Sequence, residues 1–152
     1  MRLLCDEMLV RLGRWLRAAG YDTVIAEGGM PDAILLARCA AEERILLTRD
    51  RHLAAVADGR VSVVCLDESS IAAQARALRA AQDIDWLHAP FTRCLVDNAP
   101  LAPAPPDMAA QVPPASRAAG DPLQLCPTCG RRYWPGGHVR RMLARLAEWN
   151  AP

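Results

Sequence analysis

The sequence predicts an α/β fold in which a doubly wound parallel sheet precedes a small C-terminal metal-binding unit and a terminal helix. Short apolar runs alternate with segments of helical spacing four times in about eighty residues. The runs are continuous, as in strands that helices cover on both faces. This alternation indicates right-handed crossovers and a parallel sheet. Near the C-terminus, cysteines recur at the spacing of zinc ligands.

Local patterning predicts each element in turn. Apolar residues from Leu9 to Ala19 recur at helical spacing, and Gly20 ends that helix. Asp32 beside Pro31 is typical of a helix start. The predicted strands are 2–6, 22–25, 44–48 and 61–66, and the predicted helices are 8–19, 32–40, 52–57, 71–81 and 138–149.

Composition divides the 152 residues into two predicted domains, 1–90 and 91–152. The first carries 11 arginines against 13 acidic residues, and the second carries 7 against 4. Seven prolines between residues 99 and 122 predict a loop, because proline removes a backbone donor and breaks helices. The net charge of +1 does not by itself predict a partner.

The apolar runs predict a cytoplasmic protein without a membrane partner. Residues 1–6 hold a short apolar run rather than a signal peptide, and no apolar stretch approaches the ~20 residues of a membrane span. In a reducing compartment the six cysteines are expected as free thiols or metal ligands. Cys5, Cys39 and Cys65 lie inside apolar runs and are predicted to be buried.

Three acids, Asp6, Asp50 and Asp67, each follow the last apolar residue of a predicted strand. Ligands of parallel sheets bind beyond the carboxyl ends of the strands, so a site is expected there. Clustered carboxylates repel one another and are tolerated mainly around a divalent cation, for which oxygen ligands suit Mg²⁺ or Mn²⁺. The pattern therefore favours metal-dependent phosphoryl chemistry.

Each acid also has a structural interpretation. Asp32, Asp50 and Asp67 are all placed to cap the helices that follow them. Asp6 has no predicted helix immediately after it, which makes it the firmest candidate ligand. Glu7 is either a secondary ligand or a solvent-facing residue.

A phosphoreceiver domain is an alternative for the same acids, since it also gathers carboxylates and Mg²⁺ at the ends of its strands. That mechanism requires a lysine beside the phosphoryl group. All 18 basic residues of this chain are arginine, so the sequence favours a hydrolase over a receiver.

The zinc-like pattern begins with Cys126 and Cys129, whose Cys-x-x-Cys spacing lets two thiolates meet one tetrahedral ion. Cys94 and Asp97 have the same spacing upstream, with a carboxylate in the fourth place. His138 is the competing fourth ligand, and a three-ligand or empty site is the remaining alternative.

Several motifs together resemble a PIN-like ribonuclease family, the one named after the C-terminal region of the Mut-seven exonuclease, where a PIN-like domain is fused to a zinc ribbon. The resemblance covers nearly the whole chain. The motifs are Asp6, Met8-Leu9, Leu12-Gly13-Arg14-Trp15-Leu16-Arg17, Gly20-Tyr21-Asp22-Thr23, Leu46-Leu47-Thr48-Arg49-Asp50-Arg51, Arg93-Cys94, Cys126-Pro127 through Tyr133-Trp134, and Gly137-His138.

The resemblance implies an RNA-cleaving enzyme with a PIN-like nuclease domain at 1–90 and a zinc ribbon at 91–152. By position, Asp6, Asp32 and Asp50 match the acidic Mg²⁺ or Mn²⁺ site, and Thr48 matches the polar residue before the last acid. The family pattern has cysteine where this chain has Asp97.

An RNA partner would fit the basic and aromatic residues around these motifs. The alternative is that the arginines form solvated helix faces, that the aromatic pair fills a small core, and that the chain is a non-catalytic RNA-binding or protein-binding module. The oligomeric state is not predicted. The RNA-contact candidates are Arg14, Arg17, Arg49, Arg131, Arg132, Arg140, Arg141, Tyr133 and Trp134.

Overall fold

The structure is a computed structural model that describes residues 1–109, 112 and 123–151. Its larger sheet has four parallel strands in the order β2-β1-β3-β4. The chain adds β2 on one side of β1 and then crosses to add β3 on the other side. The order therefore reverses between β1 and β3. The strands are β1 (Arg2–Cys5), β2 (Asp22–Ile25), β3 (Ile45–Thr48) and β4 (Val63–Cys65).

Helices cover both faces of this sheet, as the continuous apolar strands predict. Alternate residues of β1 point to opposite faces, so Leu3 packs in one core cluster and Leu4 in another. The first cluster includes residues of α1, α4 and α6, and the second includes residues of α2 and α3. The helices are α1 (Val10–Ala18), α2 (Asp32–Glu42), α3 (Arg51–Ala57), α4 (Ile71–Gln82), α5 (Pro106–Ala109) and α6 (Gly137–Asn150).

The C-terminal part forms a small antiparallel sheet of β5 (Ala102–Pro103), β6 (Gln124–Leu125) and β7 (Arg132–Tyr133), followed by α6. This part shares the first core cluster with the parallel sheet. Trp149 packs edge-to-face on Trp15 and Trp86, with ring centroids 4.8 and 5.2 Å apart. One hydrophobic core therefore crosses the predicted boundary at residue 90, and the division into two domains stays a prediction.

The elements differ from expectation at a few points. The first helix begins as a 3₁₀ turn (Glu7–Leu9) before α1, and β4 is shorter than the predicted strand. Within the proline-rich loop, β5 is an edge strand, where proline is tolerated, and α5 is a single turn. The rest of that predicted loop, 110–111 and 113–122, lies outside the described residues.

Burial confirms two of the three cysteine predictions. Cys5 and Cys39 are buried, whereas Cys65 is exposed. The prediction for Cys65 was wrong because β4 is the edge strand of the sheet and ends at this residue. Across the described ranges, the chain has no helix long and apolar enough to span a membrane.

Candidate functional site

The carboxyl edge of the parallel sheet brings Asp6 and Thr48 into contact. The Thr48 hydroxyl donates to Oδ2 of Asp6, and the N–H of Arg49 donates to the same oxygen at 3.2 Å. Oγ1 of Thr48 in turn accepts from the N–H of Asp50 at 2.9 Å. Asp6 is only 4% exposed and Thr48 is fully buried. A single hydroxyl therefore links one candidate acid to the backbone of another.

This contact lies where the strand order reverses. Asp6 follows β1 and Thr48 ends β3, the two strands on either side of the reversal. In open parallel sheets the loops leave in opposite directions at this point and open a crevice in which ligands bind. Asp6 and Thr48 thus occupy the position in the fold where a ligand is expected.

Both linked acids also cap helices. Oδ1 of Asp6 accepts from the N–H of Met8 at 2.9 Å and caps the 3₁₀ turn. The expectation that Asp6 has no helix to cap was wrong, because this turn begins immediately after β1. Oδ1 of Asp50 accepts from the N–H groups of His52 and Leu53 at 2.7 and 3.1 Å and caps α3. Capping therefore gives each acid a structural role beside any chemical one.

The remaining acids lie around this edge with partners of their own. Asp32 is exposed in the first turn of α2, where Pro31 occupies the capping position. Oε2 of Glu7 accepts from the N–H of Gly29 at 2.7 Å and ties down the loop before α2. Asp67 pairs with Arg51 at 3.0 Å, and this ion pair lowers the pKa of the Asp67 carboxyl.

A second site, the zinc-ligand cluster, consists of Cys94, Asp97, Cys126 and Cys129, whose ligand atoms all lie within 4.8 Å of one another. Sγ of Cys94 is 3.7 Å from Sγ of Cys129, close to the edge of about 3.8 Å expected for two sulfurs 2.3 Å from one tetrahedral zinc. Sγ of Cys126 lies 3.2 Å from Oδ2 of Asp97. The donor set and its spacing fit zinc.

His138 lies outside this cluster, exposed in the first turn of α6. Asp97, and not His138, therefore lies within reach of the three thiols, and its role as the fourth ligand stays a prediction. Asp6, Asp32 and Asp50 do not form a comparable three-ligand group in the described part of the chain. Their joint role in metal binding stays a prediction.

Two similar turns build the zinc-ligand cluster. In one, the N–H of Asn98 donates to the carbonyl of Cys94 at 3.0 Å; in the other, the N–H of Gly130 donates to that of Cys126 at 2.9 Å. Asn98 and Gly130 both have left-handed backbones, with φ of 71° and 70°. Asparagine and glycine are the residues that adopt this conformation most readily. The two halves of the site thus share one geometry, although one half offers a carboxylate at Asp97 where the other offers a thiol at Cys129.

Hydrogen bonds around Asp97 control the charge of the metal-free cluster. Burial raises the pKa of Asp97, but hydrogen bonds from the cysteine thiols and from the Ala99 N–H outweigh burial and lower it to about 2. The hydrogen bond between Cys129 and Asp97 raises the pKa of the Cys129 thiol to about 12. The pKa of the Cys94 thiol moves the other way: burial raises it, but hydrogen bonds from Tyr133 and from the backbone outweigh burial and lower it. Thiols that are still protonated would have to lose their protons when a metal binds.

Two side chains expected at an RNA surface instead support the zinc-ligand cluster from inside. Tyr133 is buried, donates its hydroxyl to Sγ of Cys94 at 3.2 Å and accepts from the N–H of Leu95 at 2.9 Å. Arg17 is 6% exposed and donates to the carbonyls of Thr23, Leu95 and Val96 at 2.8, 3.1 and 2.6 Å. Neither the predicted RNA contact of Arg17 nor its alternative, a solvated face of α1, matches this burial, because the Cys94–Asp97 turn covers the side chain.

Four other predicted RNA contacts line one cleft of about 610 Å³ between α1 and the small sheet: Arg14, Arg131, Arg132 and Trp134. Arg49 lies apart at the carboxyl edge of β3. Arg11 and Trp15 also line the cleft, although neither was predicted as an RNA contact. The spacing of Arg11, Arg14 and Trp15 on one helix face is the signal that could have identified them.

Comparison with known families covers both sites. The family model described as Mut7-C RNAse domain matches residues 1–146, a span that includes the parallel sheet, the zinc-ligand cluster and most of α6. Comparisons with curated proteins and with solved structures found no match. The family match confirms the resemblance and indicates a ribonuclease-type function with RNA as the substrate class. The chain belongs to the Mut7-C RNAse domain family.

Proposed function

We propose that the chain is a metal-dependent ribonuclease that cleaves RNA phosphodiester bonds at the carboxyl edge of β1 and β3. The observation that carries this proposal is the contact between buried Asp6 and Thr48 at the reversal of strand order. Hydrogen bonds within the chain already satisfy both oxygens of Asp6, but the position of this carboxylate at such an edge, in a chain of a ribonuclease family, supports a role in holding a metal ion.

The residues at this edge fit Mg²⁺ or Mn²⁺. Mg²⁺ in nucleotide chemistry is commonly held by one or two carboxylates together with water and substrate phosphates, so a dense cage of acids is not required. Asp6 and Asp50, joined through Thr48, would hold the ion, with Asp32 as a further ligand from α2. When bound, the ion lowers the pKa of a water and stabilises charge on the phosphate.

The chain's own groups would orient this site. Hydrogen bonds from the Thr48 hydroxyl and the Arg49 N–H fix the direction of the Asp6 carboxylate. The buried Nε of Arg49 has no hydrogen-bond partner among the described residues. Arg49 precedes Asp50 at this edge, and a guanidinium binds phosphate oxygens with paired donors, so the terminal nitrogens of Arg49 would contact the scissile phosphate.

The zinc-ligand cluster would have a different role. Four protein ligands leave no open position for water, which is typical of structural rather than catalytic zinc. Zinc at Cys94, Asp97, Cys126 and Cys129 would hold the small sheet against α1 through Arg17.

Cleavage of a labelled RNA with and without Mg²⁺ or Mn²⁺ tests the proposal. We expect cleavage only with the ion, and a loss of about 100-fold or more in Asp6→Asn and Asp50→Asn, since positioned catalytic groups contribute effects of that order. Asp58→Asn is the matched control, because Asp58 is exposed at the end of α3 and away from this edge. Full activity in both active-site variants, each folded by circular dichroism, would refute the proposal.

The capping bonds of Asp6 and Asp50 favour a second candidate, a non-catalytic RNA-binding or protein-binding module. In that case both acids serve only to start helices. This alternative would be supported if the affinity for RNA did not change with added divalent ions and no metal ion produced cleavage.

A further inference from the structure

The cleft between α1 and the small sheet is built from parts of the chain that are far apart in sequence. We call it the α1–ribbon cleft and define it by Arg11, Arg14, Trp15, Arg131, Arg132 and Trp134. Its volume of about 610 Å³ falls within the range of sites that bind small organic groups. The cleft is separate from the acids at the carboxyl edge and from the ligand atoms of the zinc-ligand cluster.

The charged side chains that line the cleft are all positive. Arg11, Arg14 and Arg131 line it beside Arg132, which has an interaction of its own, and none of its described lining residues is acidic. Like charges gathered on one side of a cleft raise the local positive potential, which attracts anions. The first turn of α6 also lines the cleft through Gly136 and His138, which adds the positive end of that helix. The cleft therefore suits an anionic occupant.

Aromatic side chains give the cleft a second chemistry. Trp134 packs against Gly136, where an added Cβ would lie 2.8 Å from the indole nitrogen. The indole can occupy this position only because residue 136 has no side chain. Trp15 is held by its edge-to-face contact with Trp149. Fixed indoles beside arginines form the combination that stacks bases and contacts phosphates in single-stranded nucleic acids.

The cleft also lies near the proposed catalytic edge. Arg11 is in the first turn of α1, and only the 3₁₀ turn separates that helix from Asp6. The rises of a 3₁₀ turn and a helix place Arg11 on the order of 10 Å from Asp6 along the chain axis. A strand bound in the cleft could therefore continue to the carboxyl edge.

We propose that the α1–ribbon cleft binds single-stranded RNA, with Arg11, Arg14 and Arg131 on phosphates and a base stacked on Trp134. This proposal rests on the proposed function, since it specifies the form of the RNA substrate. A duplex keeps its bases stacked inside the helix and offers no face to an indole. An acidic peptide would satisfy the arginines but would leave the tryptophan surface without a matching group.

Fluorescence anisotropy with a labelled oligouridine measures the binding in zinc-loaded protein without added Mg²⁺ or Mn²⁺. We expect the Arg14→Ala and Arg131→Ala double variant to weaken binding at least about tenfold and to reduce the slope of log affinity against log salt by roughly 1.4, since each phosphate contact contributes about 0.7. Trp134→Ala should weaken binding about tenfold, and Trp134→Phe should retain most of it because it keeps a ring.

The matched control is the Arg60→Ala and Arg76→Ala double variant, which removes the same charge from exposed positions outside the cleft. An equal loss in this control would overturn the proposal, because the effect would then be one of net charge. Equal binding of duplex RNA, or competition by polyglutamate as strong as by RNA, would also overturn it.

The outcomes separate the two proposals. Binding as expected, with no cleavage under any metal, would refute only the proposed ribonuclease activity. If cleavage depends on Asp6 but the affinity for RNA is unchanged by substitution of Arg14, Arg131 and Trp134, only the proposal that the cleft binds RNA is refuted.

Discussion

At the scale of single residues, Asp97 is the one carboxylate in the zinc-ligand cluster, beside three thiols. As a ligand for zinc, a carboxylate is harder than a thiolate. Oδ1 of Asp97 also accepts from the N–H of Ala99 at 3.0 Å, so the carboxylate stabilises its own turn. Compared with a cysteine at position 97, the aspartate is therefore expected to bind zinc less tightly but to stabilise its own turn by a hydrogen bond.

Asp97→Cys tests this balance. We expect the variant to bind zinc at least about tenfold more tightly, since four thiolates suit the ion, and to lose about 1 kcal/mol of metal-free stability with the Ala99 hydrogen bond. Competition with a chromophoric chelator measures the affinity. Asp97→Asn keeps the shape but removes the charge and should bind more weakly than the native chain. Equal affinity in all three proteins would mean that residue 97 does not ligate zinc.

At this scale, the spacing of Cys94 and Asp97 predicted that they would meet Cys126 and Cys129, and the four side chains do lie together. Sequence reasoning failed where the outcome depended on distant contacts. Arg17 is buried because residues 95 and 96 lie over it, and no local pattern in α1 records that contact. The cap at Asp6 was missed because a 3₁₀ turn of three residues is too short to produce a helical period.

At the scale of elements, the edge strand β2 depends on the turn that carries Asp97. Oδ1 of Asn98 accepts from the N–H of Thr23 at 3.0 Å, and its side-chain amide donates to Asp22 at 2.7 Å. Arg44 donates to the same carboxylate at 2.9 Å. These bonds cover an otherwise open strand edge, which limits pairing with other chains.

Acid should weaken this edge. Burial raises the pKa of Asp22, but hydrogen bonds from Arg44 and Asn98 outweigh burial and leave it below its ordinary value. Because the folded pKa lies below the unfolded value of about 3.9, the ionised carboxylate stabilises the fold above that pH, and this contribution is lost as the pH falls through the folded pKa.

We therefore expect Asp22→Asn to lower the free energy of unfolding at pH 7 by about 1–3 kcal/mol and to flatten its decline in acid. Urea unfolding at a series of pH values measures both effects. Asp58→Asn, at an exposed position, is the control. Parallel pH curves for Asp22→Asn and the native chain would show that this carboxylate does not contribute.

The elements themselves were largely predictable, because four apolar runs and their helices follow local periodicity. The spatial order of the strands was not predicted, since it depends on which side of β1 each crossover packs. That order is what places Asp6 beside Thr48. The candidate acids could thus be named from sequence, but their contact required the topology.

At the scale of the whole molecule, the zinc-ligand cluster and the parallel sheet share one core. Cys94, Cys126 and Tyr133 belong to the same hydrophobic cluster as Leu3 and Leu12. Trp149 of α6 packs on Trp15 of α1, so the last helix also closes over the sheet. Loss of the metal should therefore destabilise the parallel sheet as well as the small sheet.

Zinc removal tests this coupling. We expect chelation to lower the stability of the whole chain by several kcal/mol, which corresponds to a fall of about 10 °C or more in Tm. Far-UV circular dichroism and tryptophan fluorescence should record one coincident transition, because three of the four tryptophans, Trp15, Trp86 and Trp149, lie in or against the shared core. Cys126→Ser should reproduce the effect of chelation, whereas Cys65→Ser, at an exposed thiol outside the cluster, should keep the native Tm. Two separate transitions, of which only the first shifts when zinc is removed, would contradict this prediction. They would mean that the small sheet unfolds independently and that the shared core does not couple the two parts.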